Sequence, residues 1–283
     1  MHRKTLIISL TILLLCPIAK GQQTEDYPLP TVPDSITELE PRADYMVYHY
    51  WEAYNFKDTT LLEIPEYAEQ ALSNFIALLS YASPLGKQQA IDKWIALAAT
   101  NDKSYSFFTK EAERYLYHPD SPIKNEDLFL QVLNSILALP IEGDEMESLH
   151  AQYLRQLISR NQPGNPAENF AFELPDGHRD SLYTFAPDKP LLLLFFDPEC
   201  ESCQNTITQL HNNTTITQAL DNNQLALLTI IPDNAPDINA NALYDLKTLP
   251  TLYLLSPSRD VILKDTTPDA LADYLQKHIL TTP

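Results

Sequence analysis

Basic residues, cysteines and glycines are all scarce in this chain of 283 residues. Its 19 lysines and arginines are outnumbered by 38 aspartates and glutamates, which gives a formal net charge of −19. This excess of negative charge argues against nucleic acid or an anionic lipid surface as a partner. Apolar residues make up 44% of the chain, which is enough for substantial cores, and the length suggests two domains.

The first 21 residues have the pattern of a cleaved signal peptide. A basic start precedes an almost entirely apolar run from Leu6 to Leu15, and small residues precede Gln22. The run is shorter than the ~20 residues that a membrane-spanning helix needs, so we expect no stable membrane span. We therefore expect an exported, periplasmic protein. A lipoprotein anchored at Cys16 is the alternative, although Leu15 is large where such sites favour a small residue.

Cleavage at that point would leave two cysteines, Cys200 and Cys203, in the mature chain. One close pair in an exported protein is typical of a catalytic dithiol rather than of a structural framework. A metal site is disfavoured, because there is no second pair and the nearest histidine, His211, is eight residues on. A passive Cys200–Cys203 disulfide remains an alternative, although so small a loop would gain little stability from it. No cofactor is predicted.

The cysteine pair lies between a predicted strand and a predicted helix. Residues 191–196 are six bulky apolar residues in a row, which is typical of a strand buried on both faces. Residues 204–220 carry an apolar stripe that predicts a helix. A helix N-terminus favours a thiolate through its free N–H groups and its dipole. We therefore expect Cys200 to be the reactive thiol that attacks as a thiolate, and Cys203 to be buried and to resolve the mixed disulfide.

Further apolar segments after the pair complete an α/β pattern. Residues 225–231, 249–255 and 261–263 predict three strands, and residues 268–279 predict a closing helix. Pro250 can open its strand without the loss of a sheet hydrogen bond, and a cis bond before it would make a tight turn.

Three motifs give this part of the chain a resemblance to the thioredoxin-like domains of the TlpA and ResA kind. They are an opening hairpin from Glu168 to Gly177, a redox motif from Asp197 to Cys203, and a cis-proline loop, Leu249-Pro250-Thr251. The resemblance covers residues 165–283 and implies a mixed central sheet flanked by helices.

The resemblance also implies a site and its partners. Cys200 and Cys203 would exchange a disulfide with protein thiols and with an unidentified redox partner. Leu249, Pro250 and Thr251 would hold the substrate backbone beside the sulfur. Thioredoxins usually carry an acid in the strand beneath the motif. Here Leu194 stands at that position, so no buried proton acceptor for Cys203 is visible.

The chain before this domain has a helical pattern. Residues 22–40 are polar and proline-rich and predict an extended linker. Residues 41–160 have apolar residues at helical spacing, separated by breakers such as Ser83-Pro84, and predict about six helices. The stretches from His49 to Phe56 and from Tyr117 to Pro122 resemble a helical domain of unknown function that precedes thioredoxin domains in exported bacterial proteins. That resemblance implies no activity.

Four aromatic residues near the start of the helical region could face a ligand or pack between helices, and we expect packing. They are Tyr45, Tyr48, Trp51 and Tyr54.

We predict a two-domain protein, α-helical and then α/β thioredoxin-like, that acts as an exported thiol–disulfide oxidoreductase. The alternative is a partner-binding protein, in which the helical domain binds and the thioredoxin-like domain is a scaffold with a passive disulfide. The helical region carries no candidate catalytic set, so we expect it to select the partner.

Overall fold

A computed structural model of the protein describes residues 27–139, 145–174, 177–235, 237–238 and 241–280. The predicted signal peptide, with Cys16, lies outside the described residues, as does the beginning of the predicted linker. Residues 27–38 contain only a turn and a bend before the first helix begins. None of the helices in the described ranges is long and apolar enough to cross a membrane.

The first half of the described chain is helical, as predicted. Its α-helices are α1 Leu39–His49, α2 Pro65–Leu79, α3 Pro84–Ala98, α4 Asp102–Leu116, α5 Glu126–Ala138 and α6 Glu145–Ser159. Two 3-10 helices, Tyr50–Ala53 and Thr59–Glu63, join α1 to α2. The side chains of Ser83, Asn101 and Asn125 accept hydrogen bonds from the first turns of α3, α4 and α5, so the helix starts are set by capping residues. We call residues 39–160 the helical domain.

Aromatic side chains fill the core of the helical domain. The Trp51 ring stacks on Trp94, with centroids 5.9 Å apart. Trp51 and Tyr54 are buried, so for these two the expectation of packing is confirmed. Tyr48 is 42% exposed, with the Lys93 ammonium 4.0 Å from its ring centroid. The four aromatic residues therefore do not form one ligand-facing surface.

A carboxylate from α1 holds the start of α3. Asp44 accepts hydrogen bonds from the backbone N–H and the hydroxyl of Ser83, both at 2.7 Å. The Ser83 hydroxyl oxygen in turn accepts from the Gly86 N–H at 3.0 Å. A methyl group on Gly86 would lie inside the van der Waals radius of the Asp44 carboxylate. The absence of a side chain at Gly86 is therefore what lets α1 approach α3.

Gly86→Ala is expected to destabilise the helical domain by about 1–3 kcal/mol, the usual range for overpacking a filled site. In an open helix position the same change stabilises by up to about 1 kcal/mol, because glycine is the poorer helix former. In an Asp44→Ala background, where the carboxylate is gone, Gly86→Ala should therefore stabilise the domain instead of destabilising it. Urea unfolding of the wild-type protein, the two single variants and the double variant measures these changes in stability. A destabilisation by Gly86→Ala that persists without Asp44 would contradict the contact.

The second half of the described chain is α/β, as predicted. Its strands are β1 Ala171–Glu173, β2 Arg179–Ser181, β3 Leu191–Phe195, β4 Ala226–Ile230, β5 Thr251–Leu255 and β6 Val261–Leu263. Its α-helices are α7 Glu201–Asn212, α8 Thr214–Asp221 and α9 Pro268–His278. We call residues 165–280 the thioredoxin-like domain.

The central sheet has the strand order β4-β3-β5-β6. The β3–β4 pair is parallel, whereas β5 is antiparallel to both of its neighbours, so the predicted mixed sheet is confirmed. Every residue of β3 is buried, because the side chains of Leu191 and Leu193 pack into the core on one face and those of Leu192 and Leu194 into the core on the other. This double burial explains why the strand lacks the alternation of an exposed one.

The helix predicted over residues 204–220 is in fact two helices. The break lies at Asn213, whose side chain accepts hydrogen bonds from the backbone N–H groups of Thr215 and Ile216. Asparagine is a favoured N-cap residue, so it ends α7 and starts α8 in one step. The apolar stripe continues across the break, which is why periodicity alone did not reveal it.

Candidate redox site

Cys200 is the N-cap residue of α7. Its sulfur accepts a hydrogen bond from the Cys203 backbone N–H at 3.3 Å. The chain leaves β3 at Phe195 and turns through Asp197, whose carbonyl accepts from the Cys200 N–H at 3.2 Å. The buried strand and the helix thus fix the sulfur at a positive helix end, where a thiolate is stabilised.

The two cysteines differ in exposure. Cys203 is fully buried, as predicted, and Cys200 is half-buried. Their sulfurs are not bonded to each other, so the structure describes the dithiol form of the pair. The Asp197 N–H donates to the Cys203 sulfur at 3.5 Å, which leaves that thiol enclosed by the backbone of the preceding turn.

Hydrogen bonds and burial move the two thiol pKa values apart. The pKa of Cys200 is lowered, first by a hydrogen bond from the Cys203 side chain and then by one from Ser202. Burial raises the pKa of Cys203 to about 11. Of the two thiols, Cys200 therefore loses its proton first, and it is the sulfur that a substrate can reach.

The predicted cis-proline loop lies against Cys200. The Leu249-Pro250 bond is cis, as predicted. The Leu249 carbonyl oxygen is 3.6 Å from the Cys200 sulfur, and Pro250 is half-buried. Thr251 is only 5% exposed, and its hydroxyl donates to the Thr248 carbonyl at 2.7 Å. The structure brings Leu249 to the sulfur, whereas the Thr251 side chain is occupied within the loop.

Ser202 is a site residue that the sequence prediction missed. Its hydroxyl oxygen lies 2.9 Å from the Cys200 sulfur and 3.1 Å from the Leu249 carbonyl oxygen. The hydroxyl can donate to the carbonyl when Cys200 is protonated, and to the sulfur when Cys200 is a thiolate. Its place between the two cysteines was visible in the sequence, but the approach of Leu249 depends on a loop 47 residues away.

The position beneath the motif is filled by Leu194, which is buried in β3 and packs into an apolar cluster with Leu192 and Leu252. The negative charge of Asp197 contributes to raising the Cys203 pKa, after burial and the Cys200 sulfur. Across the ranges that the structure describes, there is no group of three or more histidine, cysteine, aspartate or glutamate residues arranged to hold a metal ion.

Ser202→Ala is expected to raise the pKa of Cys200, because it removes one hydrogen bond to the thiolate. The thiolate fraction at neutral pH then falls, and the pH midpoint of iodoacetamide alkylation at Cys200 moves upward. Ser202→Thr is the matched control, since it keeps the hydroxyl. An unchanged midpoint in Ser202→Ala, or an equal shift in Ser202→Thr, would remove Ser202 from the site.

The chain resembles known proteins over both of its halves. Residues 9–161 match the family described as "Domain of unknown function (DUF5106)". A thioredoxin-like protein from Bacteroides caccae is 34% identical, with a TM-score of 0.75, over 89% of this chain and 98% of that one.

The C-terminal domain of an uncharacterized protein from Bacteroides fragilis is 31% identical over 41% of this chain and 98% of that one, with a TM-score of 0.40. No curated protein matches the chain. The helical domain, the α/β fold behind the cysteine pair and the match over nearly the whole chain agree, and the chain belongs to the DUF5106 family, with a thioredoxin-like domain following the helical one.

Proposed function

We propose that this protein is an exported thiol–disulfide oxidoreductase that acts on protein disulfides through Cys200 and Cys203. One observation carries the proposal: a half-buried sulfur with a lowered pKa lies at a helix start, directly above a buried partner thiol and beside the Leu249 carbonyl. A passive disulfide does not require its two sulfurs to differ in burial and in pKa, as Cys200 and Cys203 do. Export rests on the signal-peptide pattern of residues 1–21.

In the reducing direction, the Cys200 thiolate attacks one sulfur of a substrate disulfide. A bond forms between Cys200 and that sulfur, the substrate disulfide breaks, and the other substrate sulfur leaves as a thiolate that takes up a proton. Cys203 then loses its proton and attacks the Cys200 sulfur. The mixed disulfide breaks, the second substrate thiolate leaves, and two electrons have passed from the dithiol to the substrate.

The second step is the demanding one for this protein. Burial opposes the Cys203 thiolate, and the strand beneath it offers Leu194 rather than an acid to accept the proton. A second protein or small thiol must return two electrons to the resulting Cys200–Cys203 disulfide. With an oxidising partner the same steps run in reverse, so the geometry supports exchange in either direction.

The proposal is tested by a redox titration of the purified mature protein, together with an insulin-reduction assay on the same sample. We expect a reversible two-electron couple and catalysed insulin reduction. Asp197, Glu199 and Glu201 place negative charge around Cys200, which opposes the helix dipole. We therefore expect a potential well below the ~−120 mV of the strongest oxidants in this fold. A pair that cannot be cycled would favour the partner-binding alternative.

A further inference from the structure

We infer that the helical domain forms one wall of the substrate-binding groove, so that a substrate polypeptide is recognised by both domains at once. This inference rests on the proposed function and names how its site would select a polypeptide. It starts from the loop of residues 241–248, which leads directly into Leu249 and Pro250. Residues of the helical domain and of the linker after it hold both ends of this loop.

The first end of the loop is held by the junction between the domains. The Arg160 guanidinium donates to the carbonyl oxygens of Asn241 and Ala242, both at 2.6 Å. The Asn161 side chain donates to the Leu243 carbonyl at 2.7 Å. Three main-chain carbonyls of the loop are thus bound by Arg160, the last residue of the helical domain, and Asn161, the first residue after it.

The second end is held by the turn that follows α4. The Tyr117 hydroxyl donates to the Asp245 carboxylate at 2.6 Å. The Lys247 ammonium lies 3.5 Å from the centroid of the Tyr117 ring and 3.6 Å from the Glu113 carboxylate. Because Tyr117 is only 1% exposed, its hydrogen bond to Asp245 is shielded from water and ties the loop to the end of α4. The Lys247–Glu113 ion pair is partly exposed and adds less.

A second group of ion pairs fixes the same face of the thioredoxin-like domain. Lys264 and Glu126 are 2.7 Å apart, and their side chains are only 7% and 16% exposed. Lys124 lies 3.2 Å from Glu126 and 3.7 Å from Asp265. The enclosed Lys264–Glu126 pair is costly to break, because separating the two residues would leave a buried charge without a partner.

A cleft of about 400 Å³ lies between the two groups of contacts. The helical domain lines it with Tyr117, Pro119 and Lys124, and the thioredoxin-like domain lines it with Thr206, Gln209 and Pro250. Pro250 thus belongs both to the cleft and to the loop beside Cys200. A larger cleft of about 750 Å³ runs along β4, but Pro250 does not line it, so it has no connection to the loop beside Cys200.

The occupant that fits this cleft is an extended segment of the substrate chain next to its reacting cysteine. An extended chain advances by about 3.3 Å per residue, so a segment that crosses Pro250 reaches the cleft within a few residues of the disulfide. The walls offer hydroxyl, amide and ammonium groups, and Lys124 and Lys247 are balanced by Asp245 and Asp265. With a net charge of −19 on the whole chain, a polar segment without acidic residues is favoured.

Filling the cleft should therefore impair the reduction of peptide disulfides and leave the reduction of small disulfides unchanged. Gln209→Trp places a large side chain in the cleft, whereas Thr208→Trp places it on an exposed part of the same helix outside the cleft. The probes are a ten-residue peptide of Ser, Thr and Gln with a single cysteine, used as its disulfide-linked dimer, and dithionitrobenzoate, a small disulfide reporter. We expect Gln209→Trp to raise KM for the peptide roughly fivefold or more with kcat unchanged, and neither variant to change the reporter rate.

The result that overturns the inference is equal behaviour of the two tryptophan variants on the peptide. A wild-type protein that reduces neither probe would instead count against the proposed function. Hydrogen exchange gives a second measurement that needs no turnover. The same peptide is attached to Cys200 of Cys203→Ser through an activated disulfide, and backbone protection is mapped. We expect new protection over residues 117–124, and protection confined to the cysteine motif and residues 248–251 would refute the shared groove.

Discussion

Cys200→Ser is expected to lower disulfide reduction to the uncatalysed rate, because a serine hydroxyl cannot form the mixed disulfide. Cys203→Ser should behave differently, since the Cys200 thiolate can still attack but nothing resolves the product. We expect about one mixed disulfide per protein molecule and then no further turnover. Non-reducing gel electrophoresis with mass spectrometry measures the trapped species, and an insulin assay measures turnover.

The comparison of the two variants decides the roles of the sulfurs. Cys203→Ala provides the matched control, because it also blocks resolution but removes the side-chain hydrogen bond that most lowers the Cys200 pKa. It should therefore form the mixed disulfide more slowly than Cys203→Ser at neutral pH. Trapping through Cys203 in a Cys200→Ser protein would reverse the assignment of nucleophile and resolving thiol.

Arg259→Met is expected to destabilise the thioredoxin-like domain by about 3 kcal/mol or more, because it leaves several buried main-chain carbonyls without a hydrogen-bond donor. Arg259 is 1% exposed and donates to six main-chain carbonyls, and among the described residues it has no carboxylate within ion-pair distance. The acceptors belong to Leu182, Phe185, Ala186, Lys189, Ser256 and Pro257.

The size of the effect follows from those acceptors. The first four precede β3 and the last two lie in the turn between β5 and β6, so the guanidinium joins two segments that are far apart in sequence. A buried carbonyl left without a donor costs about 1–3 kcal/mol. Urea unfolding followed by circular dichroism measures the loss, and Arg179→Met is the control, because the Arg179 side chain is 85% exposed. Similar midpoints for the two variants would contradict this role.

The sequence was most informative where local pattern and chemistry coincide. The unbroken apolar run of β3, the cysteines at the start of α7 and the proline that opens β5 each have a local cause. Together they predicted the fold of the second half, the burial of Cys203 and the cis bond before Pro250. The helical first half was predicted from periodicity and breakers in the same way.

What the sequence could not provide depends on contacts between distant segments. No local pattern marks Arg259 as a core residue, because its acceptors at residues 182–189 are brought to it only by the folded sheet. The role of Ser202 depends on the approach of the Leu249 carbonyl. The Tyr117–Asp245 hydrogen bond joins residues 128 positions apart, so no local sequence pattern predicts it.

Asn161 gives the junction between the domains a consequence for how such proteins can be recombined. Its side chain accepts from the Glu168 N–H and donates to the Leu243 carbonyl, both at 2.7 Å, while its own backbone takes a positive φ of 52°. The junction is therefore a connection of fixed conformation rather than a flexible linker whose length could vary. A helical domain transplanted onto another redox domain would keep its orientation only if residues 160–168 and 241–248 travelled with it. The unit that can be recombined in this architecture is therefore a domain together with the junction formed by residues 160–168 and 241–248.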